Sequence, residues 1–223
     1  MYIILVSYRA RGIQSFRRNQ LMETLDNFKT YFEKNNVGYK IVITEQNNDG
    51  KFNRGLLLNA AFLESEKAFT FDKKYIHMNA DYRFNLSKEI PSEFSTVKGF
   101  LELFRALYPY PHYLGSACVF DAESYLTING FPNDLEGWGG DDWAILNRIN
   151  SCKIDVITPP HLINSGFIIE EIVHFHNDTS NNVFNIELSR RDDIQSNGLT
   201  TIKYNVDGYG EFNGENVLHL LIN

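Results

Sequence analysis

At 223 residues, with 43% hydrophobic and 22% charged side chains, the chain can build one α/β core without staples and reads as a single domain over 1–223. Twenty-one basic against twenty-eight acidic residues leave a net charge of −7 and no basic stripe, which argues against nucleic acid or an anionic membrane as partner. No run reaches the roughly 18 apolar residues of a membrane span. Met1–Ser7 lacks the basic flank and cleavage site of a leader, so a cytoplasmic location is expected.

Residues 2–8 (YIILVSY) form a continuous apolar run, as a central parallel strand does. Residues 14–34 carry helical spacing, with Phe16, Leu21, Leu25, Phe28 and Phe32 on one side. A strand over 39–44, a helix over 54–68 and a strand over 74–78 complete a β-α-β-α-β opening, the rhythm of a parallel sheet covered by helices. The spacing then predicts a helix over 93–107, a strand over 113–120, a short helix over 121–128 and a helix over 141–150. Extended segments are expected at 167–176, 200–206 and 215–223. Cys118 and Cys152 are far apart and outside metal spacing, so both are expected to be reduced.

Ligands of such sheets sit at the carboxyl ends of the strands, and five constellations fall there or on the loops that face them. Tyr8-Arg9-Ala10-Arg11 follows the first strand; two arginines can clamp phosphate oxygens and Tyr8 can stack on a base. Phe52-Asn53-Arg54 opens the second helix, where Arg54 adds charge to an anion-favouring terminus and Asn53 serves equally well as an N-cap. Asn79-Ala80-Asp81 follows the third strand and keeps one carboxylate of a D-x-D pattern. Gly137-Trp138-Gly139-Gly140-Asp141-Asp142 combines a backbone able to approach a ligand, a flat ring for a sugar, and two carboxylates in a helix's first turn. An ionised carboxylate beside a sugar hydroxyl is what a general base requires. His174-Phe175-His176, if extended, points both imidazoles to one side. With Asp81 they make a mixed N/O set that suits Mn²⁺ and also admits Zn²⁺ or Fe²⁺.

Taken in order, these segments resemble the catalytic domain of the β-1,4-galactosyltransferase family. Leu126-Thr127-Ile128-Asn129-Gly130-Phe131-Pro132-Asn133 and the glycine loop after it carry the resemblance furthest. Phe52-Asn53-Arg54 with Leu57-Leu58-Asn59 is similar to the family's F-N-R-x-x-L-L-N, and His174-Phe175-His176 to the H-x-H of its xylose-acceptor branch. The resemblance implies a GT-A fold, a Rossmann-like mixed sheet with helices on both faces, and inverting, Mn²⁺-dependent transfer of galactose from a UDP-sugar to a carbohydrate or glycoconjugate acceptor. It further implies Tyr8, Arg9, Arg11, Phe52 and Arg54 as holders of UDP, and Asp81, His174 and His176 as metal ligands. Tyr113, Trp138, Gly139, Gly140 and Asp141 would lie at the donor sugar, and Asp142 would be the base. Asn79 departs from the first aspartate of D-x-D, Glu171 stands where a methionine ligand is common, and Glu136 and Trp143 change the acceptor side, so the acceptor is not inherited. UDP-N-acetylgalactosamine or UDP-glucose as donor, a non-catalytic nucleotide-sugar-binding module, and a non-haem Fe(II) oxygenase are the alternatives; the last needs a jelly roll that the β-α-β opening speaks against.

Overall fold

A computed structural model describes residues 1–10, 14–103, 114–137, 139–159, 168–171 and 182–223. The five opening elements fall where the apolar patterning puts them: β1 (Tyr2–Tyr8), α1 (Gln14–Lys34), β2 (Tyr39–Gln46), α2 (Arg54–Ala68) and β3 (Lys74–Met78). Every residue of β1 is buried, because the strand lies mid-sheet with a helix layer on each face. Alternate residues divide between the layers: Tyr2, Ile4, Val6 and Tyr8 pack with Leu21, Phe28 and Phe32 of α1, whereas Ile3 and Leu5 pack with Leu58 and Phe62 of α2. Phe16, expected on the core side of α1, is 51% exposed. α1 ends in a left-handed Asn36 (φ 52°), with Val37 N–H donating to Phe32 O and Asn36 N–H to Glu33 O, the two bonds of a Schellman motif. α2 begins at Asn53, whose side chain accepts from Leu56 N–H at 2.9 Å.

The remaining described elements are β4 (Tyr82–Phe84), α3 (Glu93–Thr96), β5 (Phe100–Glu102), β6 (Ala117–Phe120), α4 (Ala122–Thr127), α5 (Asp141–Ser151), β7 (Val156–Ile157), β8 (Ile169–Glu171), α6 (Asn182–Arg190), β9 (Val206–Tyr209) and β10 (Val217–Ile222). The main sheet runs β7-β5-β6-β3-β1-β2-β10-β9, and β4 pairs separately with β8. β1, β2, β3 and β10 are parallel, β6 and β9 run against them, and the carboxyl ends of the parallel strands form one rim.

Two expectations change. The helix expected over 93–107 stops at Thr96, and residues 100–102 become a strand between β6 and β7. Gly99, with φ +99° and so little room that a Cβ would lie 2.3 Å from Asp155 O, makes the turn between them. The strand expected over 200–206 contributes only Val206, where β9 begins its pairing with β10. Both cysteines are free thiols, and among the described residues no helix is long and apolar enough to cross a membrane.

Candidate active site

The rim gathers three strand ends, the N-terminus of α2 and the N-terminus of α5. Gly140 caps α5 in a left-handed conformation (φ 89°), and the preceding Gly139 is left-handed too (φ 96°). A side chain at Gly140 would run into Asn185 of α6 at 2.8 Å, so glycine here permits both the turn and the close helix contact. Gly137 N–H donates to Phe52 O at 2.7 Å, which ties the loop before α5 to the loop before α2.

That tie brings Arg54 against the first turn of α5. Its Nη2 lies 3.1 Å from Asp141 Oδ2, and its Nη1 donates to Asn79 Oδ1 at 3.1 Å. Both side chains of the Arg54–Asp141 pair are largely out of water, at 14% and 10% exposure, where an ion pair needs good geometry to offset its desolvation. Burial raises the Asp141 carboxyl, and Arg54 pulls the other way. Asp142, half-buried, accepts from Gly115 N–H at 2.6 Å. Burial pushes its carboxyl up to about 6, with Arg54 pulling it down and Asp141 adding to the rise. Gly115 is wedged beneath: a Cβ there would lie 2.4 Å from Asp142 Oδ1 and 2.9 Å from Arg54 Nη2. Under this group sits His77, fully buried against the edge of Phe131, held neutral first by burial and then by Arg54. The result is a carboxylate that is ionised at neutral pH yet basic enough to accept a proton, beside a guanidinium able to meet an anion.

The string 126–133 turns out to be scaffolding. Asn129 and Gly130 are both left-handed, and Asn59 Oδ1 accepts from Tyr125 Oη–H and Phe131 N–H. Arg148, fully buried on α5, donates to the carbonyls of Asn129 (3.0 Å) and Gly130 (2.9 Å) and pairs through Nε and Nη2 with Asp192. These bonds fix where α5 starts, and hence where Asp141 and Asp142 stand.

Of the residues expected at a site, Arg54, Gly139, Gly140, Asp141 and Asp142 come together, with Asn79 as Arg54's second anchor. Asp81 is buried, with Arg17 Nη1 3.9 Å away. β4 and β8 pair Glu171 with Tyr82, which is next in the chain to Asp81. Tyr8 does not offer a stacking face, since its ring is buried in the α1 layer; Arg9 is half-buried. Phe52 packs on Leu57, Ala60, Leu220 and Ile222. Arg11, Tyr113, Trp138, His174 and His176 lie outside the described residues. Gly115 carried no signal in the sequence, because its role is to leave room for groups far along the chain.

Two family descriptions match the chain: "N-terminal region of glycosyl transferase group 7" over residues 2–82 and "N-terminal domain of galactosyltransferase" over residues 95–178. Human β-1,4-galactosyltransferase 3 is 24% identical over 204 residues, covering 90% of this chain and 50% of that protein. Human β-1,4-galactosyltransferase 1 is 27% identical over 180 residues, 78% of this chain and 44% of that one. The chain thus spans about half the length of the curated relatives it matches. Among solved structures, the catalytic domain of Drosophila β-1,4-galactosyltransferase 7 with xylobiose superposes with a TM-score of 0.77 at 21% identity, over 100% of this chain and 94% of that one. A mutant of the same Drosophila protein with manganese, UDP-Gal and xylobiose gives 0.76 at 19% identity, with the same coverage. The fold is therefore GT-A, as the resemblance implied.

Proposed function

Since the chain belongs to the β-1,4-galactosyltransferase family, we propose that residues 1–223 act as one catalytic domain moving a hexose, galactose first, from a UDP-sugar to an acceptor hydroxyl with inversion. The observation that carries this reading is the convergence of Arg54, Asn79, Asp141, Asp142 and Gly115 at the rim of the parallel strands. Asp142 takes the proton of the acceptor hydroxyl, whose oxygen attacks the anomeric carbon from the face opposite UDP. The bond from that carbon to the phosphate oxygen breaks, and UDP departs with the electron pair. Gly115 N–H fixes the direction of the Asp142 carboxylate. Asp141, anchored by Arg54, accepts from sugar hydroxyls, and the Arg54 charge favours the departing diphosphate. Tyr8, Arg9, Arg11 and Phe52 border the nucleotide; Tyr113, Trp138, Gly139 and Gly140 border the sugar.

Asp81, His174 and His176 are the proposed holders of Mn²⁺. A buried carboxylate at the strand ends, with the strand pair delivering residue 171 beside residue 82, fits such a set. When bound, the ion supplies positive charge to the leaving diphosphate. In the Drosophila protein manganese, UDP-Gal and xylobiose are bound together, which supports carrying donor and metal over; the acceptor here is a carbohydrate or glycoconjugate.

The test is UDP release from UDP-galactose, UDP-N-acetylgalactosamine and UDP-glucose, with and without Mn²⁺. Mn²⁺-dependent release that is greatest from UDP-galactose is expected. Preference for another sugar would move the donor assignment, and binding of UDP-sugars without release would make the chain a nucleotide-sugar-binding module.

A further inference from the structure

The segment that carries Asp81 is clamped from one side by a polar stripe of α1. Arg17, Gln20, Thr24 and Asn27 follow one another at intervals of three and four, so they share one face of the helix. Thr24 Oγ1–H donates to Ala80 O at 2.8 Å. Asn27 accepts from Phe84 N–H at 2.7 Å and donates to Phe84 O at 2.9 Å, and Glu23 pairs with Arg83 beside them. The backbone before and after Asp81 is thereby tied to α1, and Tyr82 and Phe84 are buried in the same layer.

At the rim end of this stripe Arg17 meets Asp81. Its Nη1 lies 3.9 Å from Asp81 Oδ2 and donates to Gln20 Oε1 at 3.1 Å. Gln20 is buried, so the amide that directs the guanidinium is itself held in place. The Asp81 side chain is 9% exposed and that of Arg17 37%, which sets the carboxylate on the protein side of the pair and the cation on the solvent side. A full positive charge thus stands beside the very carboxylate assigned to Mn²⁺, where an arriving divalent ion meets it as a like charge. Arg18, next in the chain, turns away to Glu211 through two bonds of 2.6 and 2.9 Å.

Resting on the metal-dependent UDP-sugar reading above, we propose that Arg17 is the resident counter-ion of Asp81, weakening Mn²⁺ binding to the free chain and tying it to the presence of a diphosphate. In the free chain the guanidinium balances the buried carboxylate. The negative charge of a nucleotide diphosphate offsets the guanidinium, so ion and nucleotide each bind more tightly in the presence of the other, by the same factor. Arg17 acts through Asp81 and is a positioning residue, not a catalytic one.

Mn²⁺ binding to the full chain, read from the electron paramagnetic resonance signal of the free ion with and without UDP, tests this; the ion taken up by UDP alone is subtracted. Arg17→Met keeps the apolar stem and removes the charge. It should tighten Mn²⁺ binding without UDP by about 10-fold and shrink the mutual enhancement between Mn²⁺ and UDP by a similar factor. Arg17→Lys keeps the charge and should stay within about threefold of the wild type in both. Arg18→Met removes one charge from the same turn but away from Asp81, and should leave Mn²⁺ binding unchanged. Unchanged Mn²⁺ affinity in Arg17→Met, or equal tightening in Arg18→Met, overturns the inference while leaving the UDP-sugar reading in place. Weaker Mn²⁺ binding in Arg17→Met assigns Arg17 to holding Asp81 in a ligating direction and overturns it as well. A folded wild type that binds no Mn²⁺ even with UDP sinks both readings.

Discussion

Replacing Asp142 with asparagine should remove activity and add stability. The carboxyl is pushed from the ordinary aspartate range up to about 6, so the folded chain holds its proton more tightly than the unfolded chain does. The sign follows: the contribution of Asp142 to stability is lost as pH rises from about 4 through 6, by on the order of 3 kcal/mol at full value, and stays lost above that. Asparagine is uncharged throughout and its carbonyl can still accept from Gly115 N–H. The variant should therefore match the wild type near pH 4 and exceed it at pH 7, by up to about 6–12 °C in Tm for a chain of this size. Turnover should fall by about 10²–10⁴-fold with UDP affinity nearly intact. Thermal melts at pH 4, 5.5 and 7, paired with UDP-release kinetics, read both effects. Near-wild-type turnover, or a variant less stable at pH 7 than the wild type, would refute the reasoning.

Gly115→Ala inserts a Cβ 2.4 Å from Asp142 Oδ1, and since a shift of about 1 Å costs on the order of 10²-fold, kcat should drop that far while circular dichroism stays native. Arg54→Met removes the charge that holds the Asp142 carboxyl down, so the rising limb of the pH–rate profile should move above its wild-type position near pH 6, with UDP-sugar affinity reduced at least tenfold. Arg148→Met strands Asp192 in the interior and frees the carbonyls of Asn129 and Gly130, and urea titration should record a loss of about 3–5 kcal/mol. Asp192→Asn in that background should return part of it.

The first half of the fold was legible because its signals are local. An unbroken apolar run marks β1, and the 21-residue period of α1 ends at a left-handed asparagine. The 93–107 segment misled because Phe94, Val97 and Leu101 keep a helical interval, whereas its true state is set by Asp155 and by strands on either side, none of them adjacent in sequence. At the site, Arg54 and the paired aspartates could be named from the strand-end rule and the glycine loop. The bond from Arg54 to Asn79 could not, since an asparagine in place of an aspartate reads as a loss and only geometry gives it a partner. Likewise Asn129 to Asn133 reads as a signature, and its physical content, a left-handed turn clamped by Arg148, needs the buried arginine to be seen. His219 gave no signal at all, lying 174 positions from Glu45, the carboxylate it faces.

That distance also governs assembly. β10 enters the sheet beside β2, pairing Val217 with Ile41. Until residue 217 has emerged from the ribosome, the backbone N–H and C=O groups on that edge of β2 have no strand to pair with, and closing so long a loop is slow. A nascent chain carrying β1 to β3 already has the Arg54 end of the site and an open strand edge suited to pairing with another copy. Synthesis rate and chaperone supply should therefore set the yield of folded protein more than its final stability does, and slowing translation before residue 217 should raise the aggregated fraction.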